Sequence, residues 1–102
     1  MIMDVTITKK DGKAVALLVG RLDGLSSDMA AEKILSVLDD GIELTIDMEQ
    51  CPYVSSAGLR VLLSAGKWAK LHNGKMKIVN LVEEVKEVME ITGFASIFNG
   101  FA

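Results

Sequence analysis

Tyr53-Val54-Ser55-Ser56-Ala57-Gly58-Leu59-Arg60 is the stretch where a strand-like segment hands over to a helix-like one. On its N-terminal side Leu44-Thr45-Ile46 reads as the centre of a short strand. The connection Met48-Glu49-Gln50-Cys51-Pro52-Tyr53-Val54 follows, and Pro52 forbids a helix from running through it. On the C-terminal side Leu59, Leu62, Leu63 and Gly66 share one face of a helix from Ser56 to Leu71. Gly66 permits close approach to a sheet, while Arg60, Lys67 and Lys70 remain for water. Ser55 is placed to be the N-cap and Ser56 to lie in the first turn, where backbone N–H groups lack intrahelical partners and favour negative charge. A phosphate on Ser56 is therefore one the fold can receive, and its charge transforms the surface a partner reads.

Working outward, Asp4-Val5-Thr6-Ile7-Thr8 alternates apolar and polar residues, and Lys10-Asp11-Gly12-Lys13 turns the chain into the apolar run Ala14 to Val19. This predicts a β-hairpin whose first strand is the sheet edge and whose second lies inside the sheet. Met29, Ile34, Val37 and Leu38, with small Ala30 and Ala31, follow helical spacing between Ser27 and Asp40; Ser26 or Ser27 can cap this helix and Gly41 can end it. Asn73-Gly74 ends the helix that starts at Ser56. Met76, Ile78 and Val79 make a further strand, and Val82, Val85, Val88, Met89 and Ile91 define a last helix before Gly93. Ile97-Phe98 can add a short strand or simply pack. The order β-β-α-β-α-β-α predicts an α/β fold: a mixed sheet with an antiparallel N-terminal edge strand and parallel strands joined by right-handed crossover helices. The loops after the strands' carboxyl ends carry function in such folds, and Asp23 and the Ser55-Ser56 pair both follow strands.

Composition narrows the chemistry. A chain of 102 residues with 50% hydrophobic and 25% charged residues is expected to be one domain, residues 1–102, with a single function. A net charge of −3 without a Lys/Arg cluster argues against nucleic acid as a partner. Cys51 is the only cysteine, which suits a reducing compartment and reads as a small buried side chain. The start lacks a signal-peptide pattern, and the longest apolar run falls far short of the roughly 18 residues of a membrane span. A cytoplasmic location without direct membrane insertion is expected. His72 has no second histidine for a metal pair and reads as a helix C-terminal residue favoured by the dipole. Phosphate-loop, nucleophile-elbow and His-Glu-x-x-His motifs do not occur, so neither a cofactor, a metal nor a catalytic residue is expected, and the chain is not read as an enzyme.

Four segments taken together resemble a known family. They are Gly20-Arg21-Leu22-Asp23, Leu44-Thr45-Ile46-Asp47, the motif Val54-Ser55-Ser56-Ala57-Gly58-Leu59-Arg60-Val61-Leu62-Leu63, and the tail from Val88 to Phe98. In order and spacing they resemble the STAS-domain anti-sigma factor antagonists of bacteria over nearly the whole chain. The resemblance implies a single STAS-like domain that acts by partner switching. The unphosphorylated antagonist binds an anti-sigma factor that is also a serine kinase, the kinase phosphorylates it, and a PP2C-type phosphatase resets it. In the family's frequent pattern Asp-Ser-Ser/Thr-Gly the acceptor stands two residues before the glycine. Aligned on Gly58, the acceptor is Ser56, with Ser55 in place of the aspartate and as the alternative acceptor, and Ala57 in place of the hydroxyl residue.

The resemblance further implies that Asp23 lies beside the switch serine and that Asp23, Ser55, Ser56, Gly58 and Arg60 form the partner-binding surface. Plainer readings stand beside these. Asp23 can be a loop acid that caps the turn after it, Asp47 a turn acid at a strand end, Arg60 a solvated helix residue, and Ser55-Ser56 a helix start worth about 1 kcal/mol. Gly58 either lets the helix start pack closely or leaves room for a kinase. The alternative function is a stand-alone STAS subunit of a membrane transporter complex, docking on its cytoplasmic ATPase. A nucleotide sensor is a third, lacking a phosphate-binding motif.

Overall fold

Asp11 and Gly12 both take positive φ, 52° and 77°, the conformation a two-residue hairpin turn demands. In a computed structural model, which describes residues 3–91, they join β1 (Asp4–Lys10) to β2 (Lys13–Val19) in an antiparallel pair closed by Lys10 opposite Lys13. The chain continues through α1 (Ser27–Leu35), β3 (Glu43–Gln50), α2 (Ser56–Leu71), β4 (Lys75–Val79) and α3 (Glu83–Ile91). The sheet order is β1-β2-β3-β4, with β2, β3 and β4 mutually parallel. The mixed sheet, its antiparallel edge strand and the interior position of β2 are those the sequence predicts.

Register explains the layering. Ala14, Leu44 and Met76 stand side by side, as do Ala16, Ile46 and Ile78, and all six are buried. They form one core cluster with Ala30 and Ile34 of α1, Leu62, Ala65 and Ala69 of α2, and Val85 and Met89 of α3. The strand residues between them face away from this cluster and none is fully buried; Val15 is 44% exposed.

Three elements differ from expectation. The first helix stops at Leu35 rather than Asp40. The Ser36 hydroxyl donates to the Lys33 carbonyl at 2.6 Å, tighter i to i+3 turns follow, and two aspartates, Asp39 and Asp40, would oppose the dipole at a helix C-terminus. The third strand runs on to Gln50, taking in Met48-Glu49-Gln50, because Met48 extends the buried alternation of Leu44 and Ile46. The buried stripe of α2 is Gly58, Leu62, Ala65, Gly66 and Ala69, so Leu59 and Leu63 flank the contact instead of centring it. Small residues at the centre let the helix sit close to its neighbours. Gly93 and the Ile97-Phe98 segment lie outside the described residues.

His72 stands at the C-terminal end of α2, the position expected of it. It is the C-cap, stacks on Trp68 with ring centroids 3.9 Å apart, and places Nδ1 2.8 Å from Asp40 Oδ1. Asn73 takes the left-handed conformation (φ 63°) and Gly74 N–H returns to the Ala69 carbonyl, which closes the helix as expected.

Candidate functional site: the joined loops after β2 and β3

Two loops meet at the carboxyl end of the sheet. The β2–β3 register slips by one residue after Leu17, a bulge that re-aims both chains before they pair again. Leu22 and Val54 then form an isolated parallel bridge. Leu22 N–H donates to Tyr53 O at 2.9 Å, and Ser55 N–H donates to Leu22 O at 2.9 Å. Leu22 is fully buried, so this joint is a fixed post. Gly58 presses against it: a Cβ built there would lie 2.6 Å from Leu22 O, 2.8 Å from Leu22 Cγ and 3.0 Å from Val54 Cγ1. Close packing, the first of the two readings of Gly58, is what the geometry requires.

On this post stands the start of α2. Ser55 is extended (φ −88°, ψ 176°) and its hydroxyl accepts from Gly58 N–H at 3.2 Å, the expected N-cap. Its oxygen is thereby engaged with the helix. Ser56 is the first helical residue and is exposed, among first-turn amides that have no acceptor within the helix. Arg60 lies one turn further, exposed, and makes no ion pair among the described residues.

Asp23 reaches the same end of the sheet but turns inward on its own loop. Its Oδ1 accepts from Leu25 N–H at 3.0 Å and Ser26 N–H at 3.2 Å, and Arg21 Nε lies 3.8 Å from Oδ2. Partial burial pushes this carboxyl up; the Leu25 and Ser26 amides, the Ser26 hydroxyl and the Arg21 charge outweigh it, leaving it below the usual carboxylate range. Ser26, expected as a side-chain cap, instead donates its hydroxyl to the Arg21 carbonyl at 2.6 Å and accepts from Asp23 N–H. Asp23 thus orders the turn that opens α1, as its plainer reading has it, and no hydrogen bond joins it to Ser55 or Ser56 among the described residues. Asp47 is likewise structural, accepting from Glu49 N–H and Asn80 Nδ2.

Some neighbours of the site were not legible in the sequence. The Arg21 guanidinium stacks over Tyr53, 4.2 Å from the ring centroid, and clamps the two loops from outside. Leu25 stands 97% exposed at the loop tip. An open groove of about 280 Å³ runs between α1 and α2, with Ala57 and Arg60 on one side and Ser27 and Asp28 on the other. No local pattern announces these, because each depends on two segments meeting. Cys51 is buried as expected, and burial pushes its thiol up. Among the described residues no cluster of His, Cys, Asp and Glu could hold a metal ion, and no helix is long and apolar enough to cross a membrane.

A mixed sheet with crossover helices on one face thus bears an exposed serine at a capped helix start, beside the loop after β2. The chain belongs to the STAS domain family, whose model matches residues 4–102. It is 34% identical over 97 residues to a Bordetella bronchiseptica protein with the provisional name anti-sigma factor antagonist BtrV, covering 94% of this chain and 84% of the relative. It is 26% identical over 99 residues to the anti-sigma-B factor antagonist of Bacillus subtilis, covering 97% and 91%. Among solved structures, the Bacillus cell fate determinant SpoIIAA in its phosphorylated form superposes with a TM-score of 0.75 at 17% identity, covering 97% of this chain and 91% of that one.

Proposed function

We propose that this chain is an anti-sigma factor antagonist that binds a serine-kinase anti-sigma factor and is switched off by phosphorylation of Ser56. The observation that carries the reading is the division of labour between the two serines. The Ser55 hydroxyl is held by the Gly58 amide, whereas Ser56 is exposed at the first position of the helix. The names of the relatives and the phosphorylated form of SpoIIAA support it.

The chemistry is the partner's. The Ser56 Oγ attacks the γ-phosphorus of kinase-bound ATP, the bond to ADP breaks, and the hydroxyl proton passes to a base on the kinase. Asp23, engaged with its own loop, is not that base. The product adds a charge of about −1.5 to −2 at a surface held rigid by the Leu22 joint. First-turn amides and Arg60 stabilise it on the chain, and repulsion and desolvation against an acidic or apolar partner surface separate the complex. A PP2C-type phosphatase hydrolyses the ester and restores binding.

Incubation with ATP and the serine-kinase anti-sigma factor of the same genome, followed by phosphosite mapping, is the direct test. Phosphate on Ser56, its loss in Ser56→Ala, and release of the complex by Ser56→Asp are expected. No modification at Ser56, together with a complex that Ser56→Asp leaves intact, refutes the switch.

A further inference from the structure

The groove between α1 and α2 opens beside the switch serine: its wall begins at Ala57, and Arg60 stands at its rim on the same helical face as Ser56, four residues on. The floor is apolar, with Ile34 and Ala65, both buried. Its width comes from small side chains, Ala31 on α1 and Ser64 on α2. Where larger residues at these positions would close the gap between helices, the sequence leaves a cleft.

The rim carries two opposite charges. Arg60 on α2 and Asp28 on α1 both line the groove, both are exposed, and neither forms an ion pair among the described residues. A cavity of roughly 150 Å³ holds a benzene ring, and small-molecule sites usually run from roughly 300 to 1,000 Å³. At about 280 Å³ the groove suits one large apolar side chain with part of its neighbour, not a nucleotide.

We infer that this groove is the receptor for an apolar side chain of the anti-sigma factor, flanked on the partner by an acidic group that meets Arg60 and a basic group that meets Asp28. The inference rests on the function proposed above and adds to it the place and chemistry of docking. It also gives phosphorylation a second route of action. A phosphate on Ser56 lies within i to i+4 reach of Arg60 and pairs with it on the chain. The groove then loses Arg60, its one cationic rim residue among the described residues, to an internal contact and faces the partner's acid with a phosphate instead.

The test uses the kinase that phosphorylates Ser56 as the probe, with its affinity measured by titration calorimetry for the whole chain and its variants. Filling the groove by Ser64→Leu or Ala31→Leu is expected to weaken binding at least about tenfold, and so is the charge reversal Arg60→Glu. Lys70→Ala, on the last turn of α2 and away from the groove, leaves affinity unchanged. Far-ultraviolet circular dichroism and thermal melting verify that each variant is folded; Ser64 is exposed, so its variant remains usable if Ala31→Leu does not fold. Folded Ser64→Leu and Arg60→Glu proteins that bind like wild type, while Ser56→Asp still abolishes binding, overturn the groove and leave the switch standing. Failure of every kinase to bind or modify the wild-type chain overturns the switch itself, and the groove inference with it.

Discussion

Replacing Gly58 with alanine tests the joint on which the whole site stands. In an ordinary helix the change stabilises by about 0.5–1 kcal/mol, because glycine loses more backbone freedom on folding. Here the added methyl meets Leu22 O at 2.6 Å, Leu22 Cγ at 2.8 Å and Val54 Cγ1 at 3.0 Å. None of these can swing away. Leu22 is fully buried, Val54 is 7% exposed, and the Leu22 carbonyl is fixed by the hydrogen bond from Ser55 N–H. Overpacking of this kind costs about 1–3 kcal/mol, and displacing the carbonyl weakens a hydrogen bond worth about 0.5–1.5 kcal/mol. Set against the helix gain, the net loss is about 1–3 kcal/mol, a fall in Tm of roughly 5–15 °C for a chain of this size. Urea unfolding followed by the fluorescence of Trp68, the single tryptophan, reads this directly: the midpoint drops by about 1 M with an unchanged slope. A midpoint equal to or above that of wild type would refute the claim that Gly58 is required by contact with Leu22.

Two further outcomes follow from the same loops. Ser55→Ala leaves the Gly58 amide without its acceptor and lowers stability by about 1 kcal/mol in urea unfolding, whereas Ser55→Asp retains the cap; equal loss in both variants contradicts the capping role. Because the Asp23 carboxyl lies below its usual range in the folded protein, its contribution to stability is complete above the ordinary carboxylate value of about 3.9 and is lost as pH falls through the folded value. The stability difference between wild type and Asp23→Asn therefore shrinks as pH is lowered from about 6 to about 2, and a difference that stays constant over that span contradicts the arrangement.

The elements most legible in the sequence are those with local stop and start signals. Helix α2 runs from Ser56 to Leu71 as its pattern predicts, since Ser55 caps one end and Asn73-Gly74 closes the other through contacts a few residues long. The hairpin is equally local, fixed by Asp11 and Gly12. The end of α1 is not, because periodicity continues through Val37 and Leu38 while the Ser36 hydroxyl and the two aspartates draw the backbone away from the helix. Of the core stripe of α2, Leu62 and Gly66 are legible from the helical spacing, while close approach of the helix puts Gly58, Ala65 and Ala69 at the contact in place of Leu59 and Leu63. At the site, the capping by Ser55 and the exposed place of Ser56 at the first helical position follow from their order in the chain. The partners of Asp23, the Arg21–Tyr53 stack and the groove depend on how distant segments meet, which no local spacing encodes.

The strand order β1-β2-β3-β4 repeats the order of the chain itself. Among the described residues each strand therefore pairs with the one made just before it, across a hairpin or a single crossover, and none has to wait for a later one to fill a gap beside it. Loop-closure entropy is met in small instalments, which favours fast folding for a mixed sheet. During synthesis the hairpin can form first, α1 and β3 add to it, and the Leu22–Val54 joint closes once Val54 has emerged, before β4 exists. The end of the molecule that carries Ser55 and Ser56 is thus among the parts assembled early, on a growing sheet whose free edge always points to the next strand.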